Sequence, residues 1–176
     1  MTVLAEFRPD PDAPVGTVFD LTEPDQSVEE KRFPGWRPAL TSPTWWGRDR
    51  HYVIAVDPST GKKVLHHQFK RDNVLLTGED DWVNLTVRCR ARQLIATAHG
   101  SPDDESVGVA RTGIVVRQLT TRRYYYFCME GLERFVLYRR RDQDYAVLGE
   151  FHQKVDRDRY YDLTVTAEGT RIQCAV

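Results

Sequence analysis

The sequence predicts an all-β chain of two packed antiparallel sheets, and three observations carry that expectation. The stretch Trp82–Arg92 alternates strictly, with Val83, Leu85, Val87, Cys89 and Ala91 on one face and Asn84, Thr86, Arg88, Arg90 and Arg92 on the other. Period two is the mark of a strand with one buried side. From residue 50 onward, runs rich in β-branched and aromatic residues recur. Their spacers, such as Gly131-Leu-Glu133, Arg141-Asp-Gln-Asp144 and Ala167-Glu-Gly169, are short and turn-like, so neighbouring strands should pair antiparallel. No segment carries a 3.6-residue apolar stripe of helical length.

Taken in order, residues 1–45 read as a loop-rich N-terminal arm. Three prolines between Arg8 and Val15 block regular helix, and Pro24, Pro34, Pro38 and Pro43 follow, leaving room for one short strand at Gly16–Leu21. Residues 46–176 read as a single β-sandwich domain. Tyr52–Val56 and Lys63–Phe69 flank a turn rich in Pro and Gly, the pattern of a hairpin. Further strands are expected at Gly113–Leu119, Tyr124–Glu130, Arg134–Arg140, Tyr145–Phe151, Tyr160–Thr166 and Thr170–Val176. Alternation points Tyr125, Phe127, Met129, Phe135, Leu137, Tyr161, Leu163, Val165, Ile172, Cys174 and Val176 inward. It points Tyr124, Tyr126, Cys128, Glu130, Val136, Tyr138 and Arg140 outward.

A length of 176 residues suits one domain, and 40% hydrophobic with 29% charged residues is the balance of a soluble globular protein. No apolar run reaches the roughly 18 residues of a membrane helix, so no membrane partner is expected. The first residues lack a basic then apolar leader pattern. Cys89, Cys128 and Cys174 cannot all pair, and free thiols fit a reducing compartment. The expected location is therefore cytoplasmic, or extracellular if a leader has been removed. Residues 1–30 hold Glu6, Asp10, Asp12, Asp20, Glu23, Asp25, Glu29 and Glu30 against Arg8 alone. With a net charge of −1 overall, residues 31–176 keep a balance of +6. That mildly favours an acidic ligand.

Six segments carry a family resemblance. They are Trp82-Val-Asn-Leu-Thr-Val-Arg88, Gly113-Ile-Val-Val-Arg-Gln118 and Tyr124-Tyr-Tyr-Phe-Cys-Met-Glu130, followed by Phe135-Val-Leu-Tyr-Arg-Arg140, Tyr145-Ala-Val-Leu-Gly-Glu150 and Tyr161-Asp-Leu-Thr-Val-Thr-Ala-Glu-Gly-Thr-Arg-Ile172. In this order they resemble the concanavalin A-like, laminin G-like jelly-roll domains of bacterial glycan-associated proteins, over about residues 74–176. The resemblance implies a two-sheet antiparallel jelly-roll sandwich and an oligo- or polysaccharide ligand, acidic ones included. In such domains a last strand commonly follows an Asp-Gly turn. Either that strand is missing here or the N-terminal arm closes the sheet. Jelly-roll lectins commonly hold calcium, and Glu79-Asp80-Asp81 and Asp103-Asp104-Glu105 are the clusters that could offer it oxygens. No cofactor is otherwise expected.

The candidate ligand-binding residues follow from the outward face. Arg117, Tyr124, Tyr126, Tyr138 and Arg140 fall on adjacent strands, where aromatic rings would stack on sugar C–H faces and guanidinium forks would bind hydroxyls or a uronate. Trp45 and Trp46 would add a platform, or cap one end of the sandwich. The same Tyr and Arg residues would also do no more than stabilise a solvent-facing sheet. A polysaccharide lyase with Tyr126 as base and Arg117 neutralising the uronate, or a glycoside hydrolase, could use this face. The E-x-D-x-x-E, Q-[IV]-H and R-x-E-x-R signatures of jelly-roll enzymes are missing, as are G-x-S-x-G and P-loop motifs. A third reading makes the aromatics interface anchors for another protein. The row Arg88, Arg90, Arg92 suits an anionic polymer or a charged edge. No zinc finger, helix-turn-helix or RNA-binding signature supports nucleic acid. His66 and His67 fall on opposite faces of one strand and so do not share a metal.

Overall fold

The computed structural model describes residues 52–67, 82–94, 108–120 and 122–176, with short strands at 7–9, 18–19, 36–38, 46–47, 75–76 and 97–98. Side chains are described for 55–67, 82–94, 109–120 and 122–176. The described residues contain strands and turns and no helix. The chain divides into two compact units, Met1–Asp80 and Asp81–Val176.

The first unit holds β1 (Phe7–Pro9), β2 (Val18–Phe19), β3 (Trp36–Pro38), β4 (Trp46–Gly47), β5 (Tyr52–Val56), β6 (Lys63–His67) and β7 (Leu75–Leu76). The expected hairpin is present as β5–β6, with β2 on its outer side. Asp57 organises its turn. The carboxylate accepts the Ser59 N–H at 3.1 Å and the Ser59 and Thr60 hydroxyls at 2.9 and 2.7 Å. Gly61 takes φ +67° and donates its N–H to the Asp57 carbonyl at 2.8 Å. That left-handed conformation costs glycine nothing. The arm contains more pairing than its prolines suggest, since β1 pairs antiparallel with β3. Pro9 and Pro38 stand at strand ends, where a missing donor is tolerated.

The second unit holds β8 (Leu85–Ala91), β9 (Thr97–Ala98), β10 (Gly108–Val109), β11 (Arg111–Thr120), β12 (Arg123–Glu130), β13 (Arg134–Arg141), β14 (Asp144–His152), β15 (Tyr161–Glu168) and β16 (Arg171–Ala175). Strands β11–β12–β13–β14 form a four-stranded antiparallel meander. A three-stranded sheet runs β16–β15–β8, and β9 pairs with β10. The two larger sheets share one core. Ile114, Val116, Phe127, Met129 and Phe135 come from the meander, Tyr161, Leu163 and Val165 from β15, and Val155 from the connection between them. Full burial of each aliphatic or Phe side chain contributes about 1.5–3 kcal/mol. Phe135 centres the cluster, stacked on Phe151 at 4.8 Å and meeting the Tyr161 ring at 5.4 Å.

The inward set is as alternation predicts, with instructive exceptions. Val83 and Val176 lie beyond the ends of β8 and β16 and are exposed. Cys89 faces solvent in spite of its parity. The outward set needs a larger correction. Cys128, Glu130, Val136 and Tyr138 do point away from the main core, but all four are buried. Cys128, Val136 and Tyr138 form a second small cluster, with Tyr126 packed against it. Period two reveals which face a residue takes, and it says nothing about what covers that face.

Candidate functional site

The candidate site is the outer face of the meander, and strand register assembles it. Tyr124, Tyr126, Cys128 and Glu130 of β12 oppose Arg140, Tyr138, Val136 and Arg134 of β13. On β14, Tyr145 opposes Arg140 and Glu150 opposes Val136, across a bulge between Leu137 and Tyr138. On β11, Arg111 opposes Glu130 and Gly113 opposes Cys128. A β-carbon on Gly113 would lie 2.0 Å from the Phe127 carbonyl oxygen and 2.6 Å from the Cys128 Cα. Only glycine fits there.

One end of this face is a buried ionic knot. Glu130, 5% exposed, accepts Arg111 Nε on Oε1 at 2.8 Å and Arg134 Nε on Oε2 at 2.7 Å. The Tyr138 hydroxyl donates to Oε1 at 2.5 Å, and Arg134 Nη1 reaches on to Glu150 at 2.5 Å. The paired side-on contacts give each carboxylate oxygen charge-assisted donors. Burial alone would raise the Glu130 carboxyl. Hydrogen bonds from Tyr138, Arg111 and Arg134 outweigh it and hold the group below the ordinary carboxylate value. Tyr138 is pushed up by burial and by the bond to Glu130. Cys128, beneath this knot, has its thiol pushed up to about 12 by desolvation.

The hairpin turn that sets Glu130 opposite Arg134 is tied down from several directions. Gln93, itself buried, donates Nε2 to the Ala110 and Gly131 carbonyls at 2.9 and 2.5 Å. Gly131 N–H donates to the Ala110 carbonyl, and Val155 N–H donates to that of Leu132. A fixed turn fixes the knot.

The other end is a more open rack of rings around one guanidinium. Arg140 lies 5.5 Å from the Tyr124 ring centre and 5.1 Å from that of Tyr145, and donates Nη1 to the Tyr124 hydroxyl at 2.9 Å. The Tyr124 and Tyr145 hydroxyls are 3.1 Å apart. Tyr126 meets Tyr124 edge-on at 6.4 Å. Arg111 links the two ends, 5.0 Å from the Tyr138 ring and 5.7 Å from the Tyr145 ring. Cation–π contacts of this kind hold long side chains in one rotamer.

Of the sequence-predicted residues, the structure brings Tyr124, Tyr126, Tyr138 and Arg140 together on one face. Tyr138 serves the ionic knot, while Tyr124, Tyr126 and Arg140 belong to the rack. Arg117 stands apart in kind. It sits where the β11–β12 register breaks between Val116 and Thr120, with φ +52°. Its Nη2 and the neighbouring Gln118 Oε1 are buried without a hydrogen-bond partner among the described residues. Trp45 lies outside the described residues, as do Glu79, Asp80, Asp81, Asp103, Asp104 and Glu105. Trp46 is in β4, with its side chain outside the description. Sequence reasoning passed over Arg111, Glu130, Arg134 and Tyr145 as site residues. The three-residue spacer 131–133 was the available signal, because a hairpin closed by it sets Glu130 against Arg134. Among the described residues, no three or more His, Cys, Asp or Glu gather as a metal site. No helix among the described residues is long and apolar enough to cross a membrane. No protein-family model, curated protein or solved structure matches the chain.

Proposed function

We propose that this chain is a laminin G-like carbohydrate-binding module of concanavalin A-like jelly-roll architecture that holds a glycan on the Tyr–Arg rack. One observation carries the reading: Tyr124, Arg140 and Tyr145 from three adjacent strands are locked into a single unit with Tyr126 beside it. Rings fixed in advance lose little entropy when a sugar C–H face stacks on them, and the hydroxyl and guanidinium groups supply orienting hydrogen bonds. The sheets that share a core supply the rigid support a binding face needs. A glycan array followed by calorimetry tests this. Tyr124→Ala should abolish saturable binding of neutral glycans while circular dichroism stays unchanged, and Tyr126→Ala should do the same. A folded protein that binds no neutral glycan refutes the reading.

A second reading, a protein-interaction domain, is favoured by β14. This strand ends the order of the meander and exposes Tyr145, Val147, Leu148 and Phe151. Exposed apolar edges are pairing surfaces. Concentration-dependent mass in solution, abolished by Val147→Lys, would support it, and a constant monomer mass would count against self-pairing.

A further inference from the structure

We propose that the outer face of the β16–β15–β8 sheet is a second binding surface, an arginine-lined depression that takes an acidic polysaccharide. It lies on another sheet from the Tyr–Arg rack, uses other residues and does not depend on it. Arg88 and Arg90 project from this face of β8 at alternate positions, roughly 7 Å apart by strand geometry. Register sets Arg88 opposite Thr164 and Arg90 opposite Asp162. A depression of about 380 Å³ is lined by these four residues together with Cys89 and Leu163.

The charge of the depression is positive. Arg88 and Arg90 are both exposed. Asp162 approaches Arg90 only to 3.9 Å, with side chains 69% and 78% exposed, so the pair is loose and solvated. Such pairs contribute little and leave the arginine able to exchange partners. Tyr160 steadies Arg90, with the Arg90 and Arg92 guanidiniums 5.6 and 5.0 Å from its ring centre. A cation held before binding loses less side-chain entropy to a ligand.

The lining chooses between polyanions. Proteins that hold single-stranded nucleic acid add aromatic faces on which bases stack. None of the residues lining this depression is aromatic. Asp162 and Thr164 offer hydrogen-bond partners to hydroxyls, which a polyuronate carries on every unit and single-stranded DNA lacks. Carboxylates for the arginines beside hydroxyls for Asp162 and Thr164 describe a polyuronate.

The test titrates the full chain with polygalacturonate, neutral dextran and poly(dT), at several salt concentrations. The intact chain should bind polygalacturonate saturably and prefer it to both other polymers. The doubly substituted Arg88→Ser/Arg90→Ser chain, altered only at exposed positions, should bind it at least about tenfold more weakly. Its salt dependence should be shallower by about one logarithmic unit per arginine removed. Tyr124→Ala should leave this binding within about twofold. The proposal is overturned if the folded chain ignores polygalacturonate, or if the double variant binds as the parent does. It is also overturned if poly(dT) is preferred, or if Tyr124→Ala alone removes the binding.

Discussion

Replacing Glu130 by Gln keeps the shape of the buried knot and removes its charge. The amide can still accept from Tyr138 and Arg111 on its oxygen, but its NH₂ must then face the Arg134 donors. Hydrogen bonds to a charged group contribute about 1.5–3 kcal/mol each, and breaking a fully buried ion pair costs about 3–5 kcal/mol. Arg111 and Arg134 are 35% and 31% exposed and recover some hydration, which favours the lower end. We expect a loss of about 3 kcal/mol at pH 7. For a unit of roughly 100 residues this is about 12–24 °C in melting temperature. The pH dependence has a definite sign. The folded carboxyl is held below its ordinary value, so the unfolded chain takes up the proton first as pH falls. The contribution of Glu130 is complete above the ordinary carboxylate value and is lost as pH drops through the lowered folded one. Urea denaturation from pH 7 to pH 3 should therefore show parent and variant converging on acidification. A loss below about 1 kcal/mol at pH 7, or a gap that does not narrow towards pH 3, would refute this account of the knot.

Further outcomes follow from packing. Gly113→Ala should destabilise by about 3 kcal/mol or more, because its β-carbon meets neighbouring backbone that cannot move aside. Gly149→Ala meets nothing within 4 Å and should be near neutral, so equal effects in thermal melts would contradict the geometry. Cys128, fully buried with a thiol pushed to about 12, should stay unmodified by maleimide at pH 8 until the chain unfolds. Mass spectrometry of the native protein showing Cys128 labelled would overturn its placement.

The strands of the meander were legible because each buries one side, and β12 and β13 show it plainly in Phe127, Met129 and Phe135. The site was legible in part for the same reason. Once Tyr126 is paired with Tyr138, Tyr124 must oppose Arg140. Two physical features hid the rest. Bulges change the face of a strand; the break after Val116 carries no glycine to announce it, and the one at Leu148 is marked only by the neighbouring Gly149. Burial by a neighbour's long side chain is equally silent, so Cys128 and Val136 read as surface positions although Tyr138 packs with them. Glu130 looked like an outward acid at a turn. Its importance comes from Arg111 and Arg134, nineteen and four residues away, meeting it across two ladders.

The central claim is that the Tyr–Arg rack holds a sugar. The direct measurement is calorimetric titration of the intact chain, Tyr124→Ala and Tyr126→Ala with the leading neutral polymers from a glycan array. The account predicts saturable binding by the intact chain and none by either variant, with all three folded. Binding of these neutral polymers that survives both substitutions, or a folded intact chain that releases no heat with any of them, would contradict it.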